Sequence, residues 1–237
     1  MNTIPKTLTD GFAELGLSLP EGATERFQDY YELIEIGNRV TNLTAITGVE
    51  NAARLHFLDC AAILKAVNLS GKTVIDVGSG AGFPGIPLKI ACPDMELTLL
   101  DSRRKRVDFL EETVRQLNLD GTVCIQVRAE EASKGVLRES FDIAVARAVS
   151  RLNVLCELCL PFVNLSGVFA AMKGPDWAEE VSESRSAIER LGGAISEIFE
   201  YTIPGTALRR SIVVIVKNEE TPAAYPRRMA RIKKSPL

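Results

Sequence analysis

Apolar residues follow two different spacings along this chain, and the change comes near residue 70. Before it the spacing is helical. Phe27, Tyr30, Tyr31 and Ile34 recur at intervals that predict a helix over Thr24–Arg39. A second helix is predicted over Val49–Val67, after the turn at Thr47-Gly48, and residues 42–46 between them are too few for more than a loop or one turn. From Lys72 onward, short β-branched runs alternate with helical stretches. Thr73–Val77, Glu96–Leu100, Val123–Val127, Phe141–Ala146 and Val168–Met172 read as strands. Arg103–Asn118, Arg151–Leu160 and Asp176–Leu191 read as helices, the first with Val107, Leu110, Val114 and Leu117 on one face. Ile195–Ile203 and Ser211–Lys217 complete the set as two final strands.

Strands alternating with helices of this length imply βαβ units, a parallel sheet and right-handed crossovers. The expected fold is therefore α/β, a Rossmann-like, doubly wound, mostly parallel seven-stranded sheet. Only Pro204–Arg209 joins the last two strands, too little for a crossover helix, so that pair must be antiparallel and one C-terminal strand reversed. Three regions follow: an N-terminal helical extension over 1–70, the α/β domain over 71–218, and a basic tail over 219–237.

Composition narrows the class. The chain has 237 residues, 46% hydrophobic and 25% charged, which suits an ordinary globular protein and excludes extended disorder. Its net charge of −3 excludes a basic nucleic-acid binder taken whole. The charge is uneven, however. Residues 225–237 hold five Lys and Arg and no acid, so an acidic body carries a basic end suited to a local contact with a polyanion. Five irregularly spaced cysteines fit reduced thiols better than a disulfide framework. No secretory signal pattern and no apolar run of about 20 residues occurs, so a soluble, cytoplasmic protein without membrane contact is expected.

The strongest local signal is Val74-Ile75-Asp76-Val77-Gly78-Ser79-Gly80-Ala81-Gly82-Phe83-Pro84-Gly85, placed where the first strand hands over to the first helix. In doubly wound folds ligands bind outside the carboxyl ends of the strands. The glycines stand at 78, 80 and 82, and the dinucleotide fingerprint would need its third at Phe83. Asp76, just ahead of the loop, would repel a pyrophosphate and attract a cationic ligand. Both features favour S-adenosylmethionine, with its ammonium and sulfonium, over NAD.

Three later strand ends carry further candidates. Asp101 can accept hydrogen bonds from two ribose hydroxyls, or it stabilises the dipole of the following helix. Glu130, with Ala129, lies where the adenine pocket of such a fold is bordered. Arg147 ends an apolar strand and can clamp a carboxylate or a substrate phosphate; a salt bridge is the alternative. Arg103-Arg104-Lys105-Arg106 is either a solvated helix face or an RNA-phosphate contact. Cys156-Glu157-Leu158-Cys159 resembles a metal pair, but no second pair exists and His56 is the one histidine, so core thiols and no metal are expected. His56-Phe57-Leu58-Asp59 is better read as a cap or core hydrogen bond than as a catalytic dyad.

With Asn42-Leu43-Thr44-Ala45-Ile46, His56-Phe57-Leu58-Asp59, Asp76 to Leu88, Ala129-Glu130, Ala146-Arg147-Ala148 and Tyr225-Pro226-Arg227 in hand, the chain resembles the glucose-inhibited division protein B family over nearly its whole length. These are bacterial small-subunit rRNA guanine-N7 methyltransferases. Gly37, Cys60, Ala230 and Ile232 depart from the family's usual Trp, Ser, Gly and Pro. The resemblance implies a class I methyltransferase fold and methyl transfer from S-adenosylmethionine to N7 of a guanine in the 530 loop of 16S rRNA. Cofactor contacts would include Gly78, Gly80, Phe83, Asp101, Ala129, Glu130 and Arg147. Arg103, Tyr225, Arg227 and Arg228 would meet RNA of the small ribosomal subunit. No general base is implied, since guanine N7 carries no proton, and a monomer is expected.

Overall fold

The computed structural model describes residues 4–147 and 150–237. Ala148, quoted in one of the family motifs, lies outside them. Seven strands make one sheet: β1 (Thr73–Val77), β2 (Glu96–Asp101), β3 (Thr122–Gln126), β4 (Phe141–Arg147), β5 (Val163–Lys173), β6 (Gly193–Thr202) and β7 (Arg209–Lys217). Their order is β3-β2-β1-β4-β5-β7-β6. The first five run parallel, and β7 is antiparallel to both β5 and β6. Burial explains why the reversed strand sits inside the edge. Ile212 to Ile215 of β7 are all buried and need cover on both faces. β6 carries Ser196, Glu197 and Glu200 and tolerates the edge.

The period-2 alternation of the strands divides the core. Val74, Ile143, Val145, Ala170 and Met172 face one side; Ile75, Val77, Ala144, Ala146, Phe169 and Ala171 face the other. The first face is covered by α1 (Ile4–Glu14), α2 (Ala23–Asn38) and a broken helical segment over 49–66. That segment comprises α3 (Val49–Ala52), a π-helical turn (Ala53–Leu58), α4 (Asp59–Ala61) and α5 (Ile63–Ala66). Next come α6 (Gly85–Ala91) and α7 (Arg104–Gln116), also on this face. After β3 comes the short α8 (Ala129–Ala132). The second face takes α9 (Leu152–Cys159), α10 (Trp177–Arg190) and, from the tail, α11 (Met229–Lys234).

The N-terminal helices share one apolar cluster with the sheet. Phe12, Phe27, Phe57, Tyr30 and Phe83 form an aromatic chain with centroid spacings of 5.0–6.3 Å, ending in the glycine loop. Tyr30 Oη donates to Ala81 O at 2.7 Å, so α2 braces the loop directly. At Gly37, Phe109 and Leu43 lie close to the backbone: a Cβ there would lie 2.7–2.8 Å from them.

Candidate active site

At the carboxyl ends of β1, β2, β3 and β4 opens a cleft of about 720 Å³, within the range of small-molecule sites. It brings together Gly78, Gly80, Phe83, Asp101, Arg103, Ala129, Glu130 and Arg147. The glycines of the loop differ in what they do. Gly80 has φ +62, and a Cβ there would meet nothing closer than 3.9 Å, because it would project into the cleft. Gly82 has φ +105, and a Cβ would strike Ile86 and Tyr30 at 2.5–2.7 Å. One glycine keeps a path open; the other lets the loop pack.

Asp101 holds the loop's far wall. Its carboxylate accepts the backbone N–H of Gly80 (3.1 Å) and of Arg103 (2.8 Å) and pairs with Arg106 at 3.3 Å. It thus serves the start of α7 while still lining the cleft. Arg104 is drawn away by Asp108 at 2.7 Å, so of the basic run Arg103 and Arg106 face the cleft.

Asp76 departs from expectation. It does not line the cleft but lies fully buried beneath the loop, accepting the Gly85 N–H at 2.9 Å. Its Oδ1 has no partner, and burial pushes its carboxyl up to about 7. The reason is the pleat: Asp76 points to the sheet face that α6 covers. It clamps the start of that helix.

Arg147 is the most heavily tied side chain of the site. Its guanidinium lies 4.6 Å from the Phe83 ring centroid, donates to Leu55 O at 3.2 Å, pairs with Asp59 at 3.3 Å and meets His56 Nδ1 at 2.9 Å. The π-helical turn of residues 53–58 and the start of α4 present these three partners together. His56 stacks on Phe83 at 4.1 Å and pairs with Thr44 through Nε2. Burial, with Arg147 beside it, lowers its pKa to about 3, so it is neutral. Asp59 also accepts from Tyr201 Oη at 2.8 Å. The His56–Asp59 pair is thus a hydrogen-bonded support for Arg147.

Beyond Arg147 and His56 lies a second cleft of about 650 Å³, lined also by Asp59, Lys173, Glu180, Tyr201 and Arg210. The two clefts share those two side chains as a common wall.

A family model described as "rRNA small subunit methyltransferase G" matches residues 23–208. The chain belongs to this family. Curated relatives of the same name agree along the full length. The protein of Pelotomaculum thermopropionicum is 45% identical over all of both chains, and that of Clostridium perfringens is 44% identical over 94% of each. Among solved structures, an S-adenosylmethionine-dependent methyltransferase of Aquifex aeolicus overlays with a TM-score of 0.52, 22% identity and coverage of 69% of this chain and 93% of that one. That similarity establishes the fold. This rRNA small subunit methyltransferase G family member is an S-adenosylmethionine-dependent enzyme, and its cleft fits the cofactor: Gly80 leaves a space that a single Cβ would enter, and a carboxylate stands at the end of β2.

Of the tail residues expected to meet RNA, Tyr225 and Arg227 dock against the body of the protein. Arg227 is not free: its Nε and Nη2 donate to the two oxygens of Glu157 at 2.8 and 2.6 Å, and Glu157 is fully buried. Tyr225 packs against the same apolar cluster and lies 5.9 Å beneath Arg227. A buried carboxylate on α9 demands a cation, and the tail supplies it. Arg228 stays exposed but does not line the cleft, whereas Lys233 of the basic tail and Met229, unremarked in the sequence, do. Glu157, set in the apolar run of α9, was the available signal for this docking. Cys156 and Cys159 are buried free thiols with raised pKa, and no metal-ligating cluster occurs among the described residues.

Proposed function

We propose that the chain transfers the methyl group of S-adenosylmethionine to N7 of a guanine in the 530 loop of 16S rRNA, acting as a monomer on the small ribosomal subunit. The observation that carries this reading is the pair of clefts meeting at Arg147 and His56. One has the features of a nucleoside site and the other has room for a base, with family membership naming the substrate class.

Bound in the first cleft, S-adenosylmethionine supplies an electrophilic methyl group on a sulfonium. Asp101 would accept from the ribose hydroxyls, Ala129 and Glu130 would border adenine, and the backbone at Gly78 and Gly80 would allow close approach. Arg147 and Phe83 would hold the amino-acid end near the common wall. The second cleft would take the guanine. N7 offers a lone pair on the major-groove edge and has no proton to lose. The residues of the junction agree with that requirement: His56 is neutral with both ring nitrogens engaged, and Asp59 is held by Arg147 and Tyr201. The chain's contribution is orientation of the acceptor in line with the reacting bond. Asp59 and Glu180 would also stabilise the positive charge that the purine acquires. Arg103 at the cleft and the exposed Arg228, Arg231 and Lys234 would meet RNA phosphates.

The test is incorporation of labelled methyl groups into small subunits lacking the modification, with the base mapped by N7-specific strand cleavage. Cleavage at a single guanine of the 530 loop is expected. Labelling at another base or atom would sink the assignment.

A further inference from the structure

Besides its exposed basic side chains, the docked tail presents Met229 and Lys233 to the first cleft. We propose that Tyr225–Leu237 is a fixed strap that completes the cofactor site, with Met229 covering the nucleoside end of S-adenosylmethionine. This rests on the cleft assignment made under Proposed function.

The strap is anchored on both sides of Met229. Before it, Arg227 meets Glu157 through its side chain and also through its backbone N–H, 2.8 Å from Oε1. After it, Ile232 is fully buried in the apolar cluster of the second sheet face. Arg138 donates to the Tyr225 carbonyl at 3.0 Å, and Asn153 donates to the Leu237 carbonyl at 3.3 Å. These anchors belong to the elements that build one end of the cleft. Glu157 precedes Leu158, a lining residue, on α9. Arg138 also donates to the carbonyl of Ser133, just after α8, which carries Ala129 and Glu130. The strap therefore shares its supports with the wall assigned to adenine.

Between the anchors, Met229 and Lys233 turn to the cleft. A thioether is a soft, polarisable cover for a flat heterocycle. Lys233 remains exposed and places an ammonium at the rim. A docked strap is also obligatory: without Arg227, Glu157 would be an uncompensated buried charge.

The experiment uses the full chain with Met229→Ala and, as a variant that leaves Met229 in place, Arg227→Ala. Binding of S-adenosylhomocysteine and of 5′-methylthioadenosine, which lacks the amino-acid end, is measured by calorimetry, with unliganded melting temperature as the check on folding. Met229→Ala should weaken both ligands by the same factor, about five-fold, in a variant that the melting temperature shows to be folded, although Met229 also packs against the apolar cluster. Arg227→Ala, if folded, should weaken both as well although Arg227 does not line the cleft. Unchanged affinity for both, or a loss confined to S-adenosylhomocysteine, overturns the strap's role. So does a loss of rRNA affinity alone, which would return the tail to RNA contact. Failure of the wild type to bind either ligand overturns the cofactor assignment itself, and the strap's role with it.

Discussion

The guanidinium of Arg147 lies 2.9 Å from His56 Nδ1, and because arginine can only donate, that nitrogen must be the acceptor. The proton is therefore on Nε2, where it is donated to Thr44 Oγ1 at 2.8 Å. One contact thus fixes the tautomer, neutralises the ring and aims the arginine at the wall between two clefts.

With a folded pKa of about 3, His56 should leave no inflection in the pH–rate profile between 5 and 8. It does cost stability in acid. The unfolded ring takes up a proton near its usual 6.5 while the folded ring does not, so its contribution is complete above 6.5 and lost as pH falls through 3. A rate step near pH 6.5 that disappears in His56→Gln would contradict the neutral assignment.

Asp76 acts in the opposite sense. Its folded pKa is raised to about 7 from 3.8, so the folded state holds the proton more tightly. Stability from this group is full below about 3.8 and declines as pH rises to 7. Asp76→Asn keeps an acceptor for Gly85 and removes the titration. Urea midpoints should therefore converge in acid and separate in the variant's favour at neutral pH. Parallel curves for the two proteins would reject the buried-acid account.

Gly80 and Gly82 should fail differently on substitution. Gly82→Ala meets Ile86 and Tyr30 and is expected to lower the melting temperature. Gly80→Val pays chiefly for its left-handed backbone, roughly 1–2 kcal/mol, yet blocks the cleft. Calorimetry with S-adenosylhomocysteine should find no binding to a still-folded Gly80→Val; wild-type affinity there would remove the loop from the cofactor path.

Asp101→Ala should weaken cofactor binding by about 1–3 kcal/mol through lost charge-assisted bonds. It also releases Arg106 and the Gly80 N–H. An affinity equal to wild type would leave Asp101 with only its role at the start of α7.

Arg210 makes no ion pair among the described residues, and it lines the second cleft. Arg210→Ala should therefore lower methyl transfer to small subunits while sparing S-adenosylhomocysteine affinity. Equal losses in both measurements would show that the second cleft is not separate from the first.

Much of this protein was legible locally. The strand, glycine loop and helix over 73–91 announce themselves because φ > 0 turns and β-branched runs are short-range properties. The reversed strand followed from the length of one connection, and the apolar stripe of Cys156 and Cys159 from helical spacing. The family itself could be recognised from a few contiguous motifs. What the sequence could not reveal was how groups far apart in the chain pair in space. Arg147 meets Asp59 across 88 positions, and Arg227 meets Glu157 across 70. Such pairs form where desolvated charges have no other partner, and which charges are desolvated depends on the packed layers. The same holds for Asp76, whose side of the sheet decided that it would clamp a helix and not face a ligand. Residue types and spacings determined the chemistry available; burial, which exists only once the layers close, decided which groups were free to use it.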